Sequence, residues 1–136
     1  MTQPATAALL VGVGGGLGSL ARYGLSLVVQ RVVVDWPAGT FAANCLGCLC
    51  IGMIAQFAAR GEALSPEARL FLATGFCGGF TTMSSMVYEA GQMLRSGEVL
   101  HASFYVAATL VGSLLAFFLG ATLIRLAPRV AGALWS

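Results

Sequence analysis

The chain has 136 residues, of which 58% are hydrophobic and only 9% charged. A soluble domain carries roughly 25% charged residues, so this composition excludes an ordinary soluble fold and points to the bilayer as solvent. All seven basic residues are arginine and the net charge is +2, too small and too scattered for a nucleic-acid surface.

Four apolar runs reach the length of about 20 residues that a helix needs to cross hydrocarbon. They fall at about Ala5 to Gln30, Trp36 to Ala59, Leu70 to Leu94 and Val99 to Ile124. The expected fold is an all-α membrane protein of four transmembrane helices, a single transmembrane domain over residues 1–136. The first run is too long for a secretory signal and is expected to be retained. It holds a lone Arg22 and the glycines Gly12, Gly14, Gly15, Gly16 and Gly18. Small residues four apart let helices approach closely, and the fourth span repeats the device with Gly112, Ala116 and Gly120. Trp36-Pro37 reads as an interfacial anchor and helix start for the second span. Cys45, Cys48, Cys50 and Cys77 all lie in spans and read as small apolar packing residues.

The third span interrupts itself. From Leu70 to Tyr88 it carries no charge, yet near its midpoint it reads Gly75-Phe76-Cys77-Gly78-Gly79-Phe80-Thr81-Thr82-Met83-Ser84-Ser85-Met86. A glycine pair followed by four hydroxyl residues weakens the helix and predicts a break at membrane depth. Freed backbone is tolerated there only inside protein or along a polar cavity, as in the ion and solute sites of channels and transporters. Carbonyls released over Gly78 to Thr81 suit a cation; equally, a glycine kink there lets two helices cross.

Polar residues inside spans are few, and each needs a partner or a function. Arg22 either snorkels to the interface or makes a vestibule electropositive. Asn44 offers two N–H donors from the second span. Thr82, Ser85 and Glu89 are spaced to share one helical face, and Tyr105, Thr109 and Ser113 form a second stripe at four-residue intervals. Together these offer neutral donors that can replace the water shell of a small anion without trapping it. Short loops set orientation through their arginines. Arg60, Arg69, Arg125 and Arg129 at one end stand against Arg31 and Arg95 at the other, joined by Arg22 if it reaches that interface, a bias weak enough for insertion both ways round.

Three motifs in order resemble one family, the Fluc (CrcB-type) fluoride channels. They are Gly15-Gly16-Leu17-Gly18-Ser19-Leu20-Ala21-Arg22-Tyr23, then Pro37 through Asn44 to Gly47, and Gly75-Phe76-Cys77-Gly78-Gly79-Phe80-Thr81-Thr82 running on to Glu89. The resemblance covers nearly the whole chain. It implies an antiparallel dual-topology homodimer in the cell (inner) membrane that exports fluoride passively through two pores. Asn44, Thr82 and Ser85 would line the pore, with Tyr105, Thr109 and Ser113 as its polar track and Glu89 near the track's end. Arg22 would shape the vestibule, and the carbonyls of Gly78 and Thr81 from both copies would hold a structural sodium ion. Members usually carry phenylalanine where this chain has Met83 and Met86. The two methionines are expected to line the pore as apolar substitutes, with less to offer an anion than a ring edge.

Two other readings stand beside this one. A small four-helix dual-topology multidrug exporter needs a membrane-embedded carboxylate, and the first two spans contain none. A non-conducting partner subunit of a heterodimeric channel would account for the missing phenylalanines. No nucleophile–base set or metal-ligand cluster supports an enzyme, and no organic cofactor is expected.

Overall fold

In hydrocarbon every backbone N–H and C=O must be satisfied within the chain, which leaves helices as the economical solution. The computed structural model describes residues 3–61 and 64–127, and it is helical throughout with no strand among them. Arg129 lies outside the described residues. Helix α1 spans Pro4–Gln30 and opens with proline, whose missing N–H costs nothing in a first turn. Helix α2 spans Ala38–Ala59 and starts directly after Pro37.

The third crossing is built from four pieces. Helix α3, Pro66–Arg69, is capped by Ser65, whose hydroxyl accepts the Ala68 N–H at 3.1 Å. The helix thus begins at Pro66 rather than at Leu70, because the cap and Pro66 nucleate it and charges at a helix end do not break it. A π-helical segment, Leu70–Cys77, follows, then α4, Gly78–Phe80. Thr81 and Thr82 are extended, and α5 resumes at Met83 and runs to Arg95. Gly97, at φ +80°, turns the chain as only glycine does without strain, and α6 spans Val99–Leu126.

Four helical stretches, 4–30, 38–59, 66–95 and 99–126, are long and apolar enough to cross a membrane. Leu110, Val111, Leu114, Leu115, Phe118 and Leu119 present one apolar exposed face of α6, as hydrocarbon rather than water demands. This is a multi-pass membrane protein.

Backbone-to-backbone approach sets the packing. Helices α2 and α6 press together so tightly that a Cβ on Gly52 would collide with the Phe117 carbonyl, and one on Gly120 with the Leu49 carbonyl. Helix α1 lies as closely against the third crossing: a Cβ on Gly18 would strike the Phe76 carbonyl. Without a hydrophobic drive between helices in lipid, such close van der Waals contact is the main source of cohesion. The core of buried side chains is small, with Met86, Ala90 and Tyr105 at its centre and Trp36 and Phe41 packed on it.

Candidate functional site

An unbroken α-helix would close the Thr82 N–H on Gly78 O, Met83 N–H on Gly79 O and Ser85 N–H on Thr81 O. None of the three is made, and two of the N–H groups find other acceptors. The Thr82 N–H donates to Asn44 Oδ1 at 2.7 Å. The Ser85 N–H donates to Thr82 Oγ1 at 3.1 Å, making Thr82 the cap of α5. Gly79 O accepts instead from Ser19 Oγ at 3.3 Å and from Arg22 Nε at 3.4 Å. Gly79 O is therefore served by the chain's own side chains, while Gly78 O and Thr81 O lose their helical donors and gain no side-chain donor among the described residues.

Asn44 is the pivot of the arrangement. Thr82 has φ −152° and ψ 115°, and an extended residue points its N–H and C=O to the same side. The Asn44 amide matches that edge with two bonds, its Nδ2 donating to Thr82 O at 3.1 Å. Asn44 is 8% exposed. Its second N–H meets no acceptor among the described residues. The Thr82 hydroxyl lies 3.2 Å from Ser84 Oγ and donates to Ser85 Oγ at 3.1 Å, so three hydroxyls cluster beside the amide.

A second polar knot lies on the same face of α2, one turn earlier. Thr40 Oγ1 donates to Glu89 Oε1 at 2.8 Å, and the Tyr105 hydroxyl donates to Glu89 Oε2 at 2.6 Å. Trp36 stands edge-on to the Tyr105 ring at 5.6 Å and fixes its angle. A cleft of about 500 Å³ reaches Glu89 from outside, lined among others by Gln30, Asp35, Tyr88 and Gln92. One turn along α2 from Thr40 lies Asn44 with Thr82, and one turn along α6 from Tyr105 lies Thr109.

The expected residues do not all behave alike. Thr109 is buried, but its hydroxyl proton goes to Tyr105 O of its own helix at 2.8 Å, so it faces outward as an acceptor only. Thr81 likewise donates to Cys77 O at 2.9 Å. Ser113 is half-buried beside the Cys45 thiol. Met86 is 4% exposed and packs in the core with Tyr105, whereas Met83 is 71% exposed and points away. The single chain does not bring the two methionines to one lining. Ser85 and Glu89 share a face of α5, but Thr82 reaches them as a cap rather than as a helical neighbour. Arg22 is held inward on a carbonyl. Sequence reading missed Thr40 and Ser19. Their signal was spacing: Thr40 lies four residues before Asn44, and Ser19 three before Arg22.

Fold and site together define a small multi-pass membrane protein that buries a line of amide, hydroxyl and carboxylate groups between its helices. Residues 9–121 match the family model described as CrcB-like protein, Camphor Resistance (CrcB), and the chain belongs to that family. A protein of Chlorobaculum tepidum named Fluoride-specific ion channel FluC is 52% identical over 118 residues, 87% of this chain and 94% of its own. One from Chlorobium phaeobacteroides with the same name is 46% identical over 120 residues, 88% and 93% of the two chains. Another, from Methylobacillus flagellatus, is 42% identical over 87% of this chain and 94% of its own. The relatives carry the name of a channel, not of an enzyme.

Proposed function

We propose that this chain is a fluoride-selective channel that lets fluoride leave the cell passively, working as an antiparallel dual-topology homodimer in the cell (inner) membrane. The observation that carries the reading is Asn44, whose amide is anchored on Thr82 and still has one N–H to give. A fluoride ion entering a narrow dry passage must exchange its water for protein donors. Asn44 Nδ2 and the hydroxyls of Ser84, Ser85 and Ser113 offer such donors without a fixed positive charge that would trap the ion. The Glu89 carboxylate would repel an anion, but Thr40 and Tyr105 cover both of its oxygens with hydroxyl protons, which weakens its field along the path. The relatives' name supports fluoride as the ion.

The dimer is supported by what one chain leaves open. Met83 is exposed, and a Cβ on Gly12 or Gly16 would meet nothing. Gly78 O and Thr81 O fit a hard monovalent cation, since both are neutral oxygen acceptors deprived of their helical donors. Paired with the same carbonyls of a second copy, they would hold a sodium ion. Bound sodium would supply the positive charge that offsets carbonyl dipoles otherwise left unsatisfied at membrane depth.

Purified protein reconstituted in liposomes and followed with a fluoride electrode tests the reading. Fluoride efflux with chloride retained is the expected result. Chloride flux comparable to fluoride flux overturns the selectivity, and absence of both overturns the channel.

A further inference from the structure

Gly14, Gly15, Gly18, Ser19 and Arg22 fall on one face of α1, and that whole face lies along the third crossing. Its glycine part is locked: a Cβ on Gly14 would meet the Phe71 carbonyl at 2.6 Å, and one on Gly79 would collide with the Gly15 carbonyl. No side chain separates the two backbones, so their register is fixed. That register carries Ser19 and Arg22 onto one atom, Gly79 O. This carbonyl has lost the Met83 N–H because the helix stops before it. About 12 Å of helix separate Arg22 from the end of α1 at Gln30, so the guanidinium is spent on backbone well inside the span rather than at the interface.

We infer that Ser19 and Arg22 are positioning residues: their two donors replace the missing helical bond at Gly79 O, and so set where Thr81 and Thr82 leave the helix to meet Asn44. What Arg22 contributes is the place of its Nε–H, not its charge. The distinction is chemical and testable. Glutamine carries a neutral N–H donor at the position of the arginine Nε, one bond beyond Cδ. Lysine keeps the charge but puts a methylene at that position.

The test compares the full-length protein in vesicles with Arg22→Gln, Arg22→Lys, Ser19→Ala and the Ser19→Ala/Arg22→Lys double variant. Amide hydrogen exchange over 79–85 is the first readout, and fluoride flux the second. Exchange at Thr82 and Ser85 should rise about tenfold in Arg22→Lys, the equivalent of one lost hydrogen bond to a charged group. It should rise less in Arg22→Gln, and flux should follow the same order. Ser19→Ala should add more in the Lys background than in the unmodified protein, because Gly79 O then loses its last donor. The inference is overturned if Arg22→Lys matches the unmodified protein while Arg22→Gln does not, since charge would then be the property that matters. Should Arg22→Lys fail to insert, Ser19→Ala alone must speed exchange over 79–85; an unchanged rate overturns the inference. The flux arm rests on the fluoride reading and the exchange arm does not. An unmodified protein that passes no fluoride defeats the proposed function and leaves the positioning role to be judged on exchange.

Discussion

Asn44 spends its amide on a single residue's backbone, and this decides what its loss should do. Asn44→Ala strands the Thr82 N–H and C=O in a buried place, at about 1–3 kcal/mol for each unsatisfied group. Fluoride flux in liposomes should fall, and the melting temperature of the purified protein should fall with it. Undiminished flux would remove Asn44 from the path. The methionines divide in the same way. Met86 is 4% exposed against Tyr105 and Ala90, so Met86→Phe overpacks the core and should cost about 1–3 kcal/mol in thermal unfolding. Met83 is exposed in the single chain, so Met83→Phe should leave stability unchanged and keep or raise flux. Equal destabilisation by both would mean that the two sites share one environment.

At the scale of elements, glycine contacts aim the polar groups. Helices α2 and α6 are clasped through Gly52 and Gly120, and this clasp sets the rotation that turns Thr40 and Asn44 towards the third crossing and Tyr105 towards Glu89. Gly120→Ala should therefore separate the pair, lowering thermal stability by about 1–3 kcal/mol, as forced overpacking does. Gly16→Ala meets open space in one chain, where alanine stabilises a helix by roughly 0.5–1 kcal/mol. Any loss it causes in the assembled protein reports contact from outside that chain. Cross-linking that shows full assembly after Gly16→Ala would place this face away from the interface.

Across the whole molecule, charge decides orientation. Arg60, Arg69 and Arg125 belong to one end and Arg31 and Arg95 to the other. Two of Arg60's bonds run to the carbonyls of Arg125 and Ala127 at the foot of α6. If insertion goes both ways, a C-terminal tag will be accessible on both membrane faces, and Arg69→Ala with Arg125→Ala will shift the ratio towards the opposite face. A tag confined to one face in the unmodified chain would end the dual-topology proposal.

Much of this was legible in the residues. Apolar run length and the need to satisfy backbone groups in hydrocarbon act along the chain, one residue after another. They fix four crossings, an all-helical chain and the weak stretch around Gly78 to Ser85. Helix starts were less legible at Pro66, where the Ser65 cap begins the helix four residues before the apolar run at Leu70. The bonding partners lay beyond sequence. Stripes at four-residue spacing placed Thr109 as a donor, yet its own helix takes its proton; Met83 and Met86, three apart, part company; Ser19 and Thr40 were passed over although both hold the site. A partner is chosen by how far each helix is rotated and how near it comes. Those quantities are set by glycine backbones meeting across sixty residues of chain, so the tertiary structure alone decided which polar groups face one another.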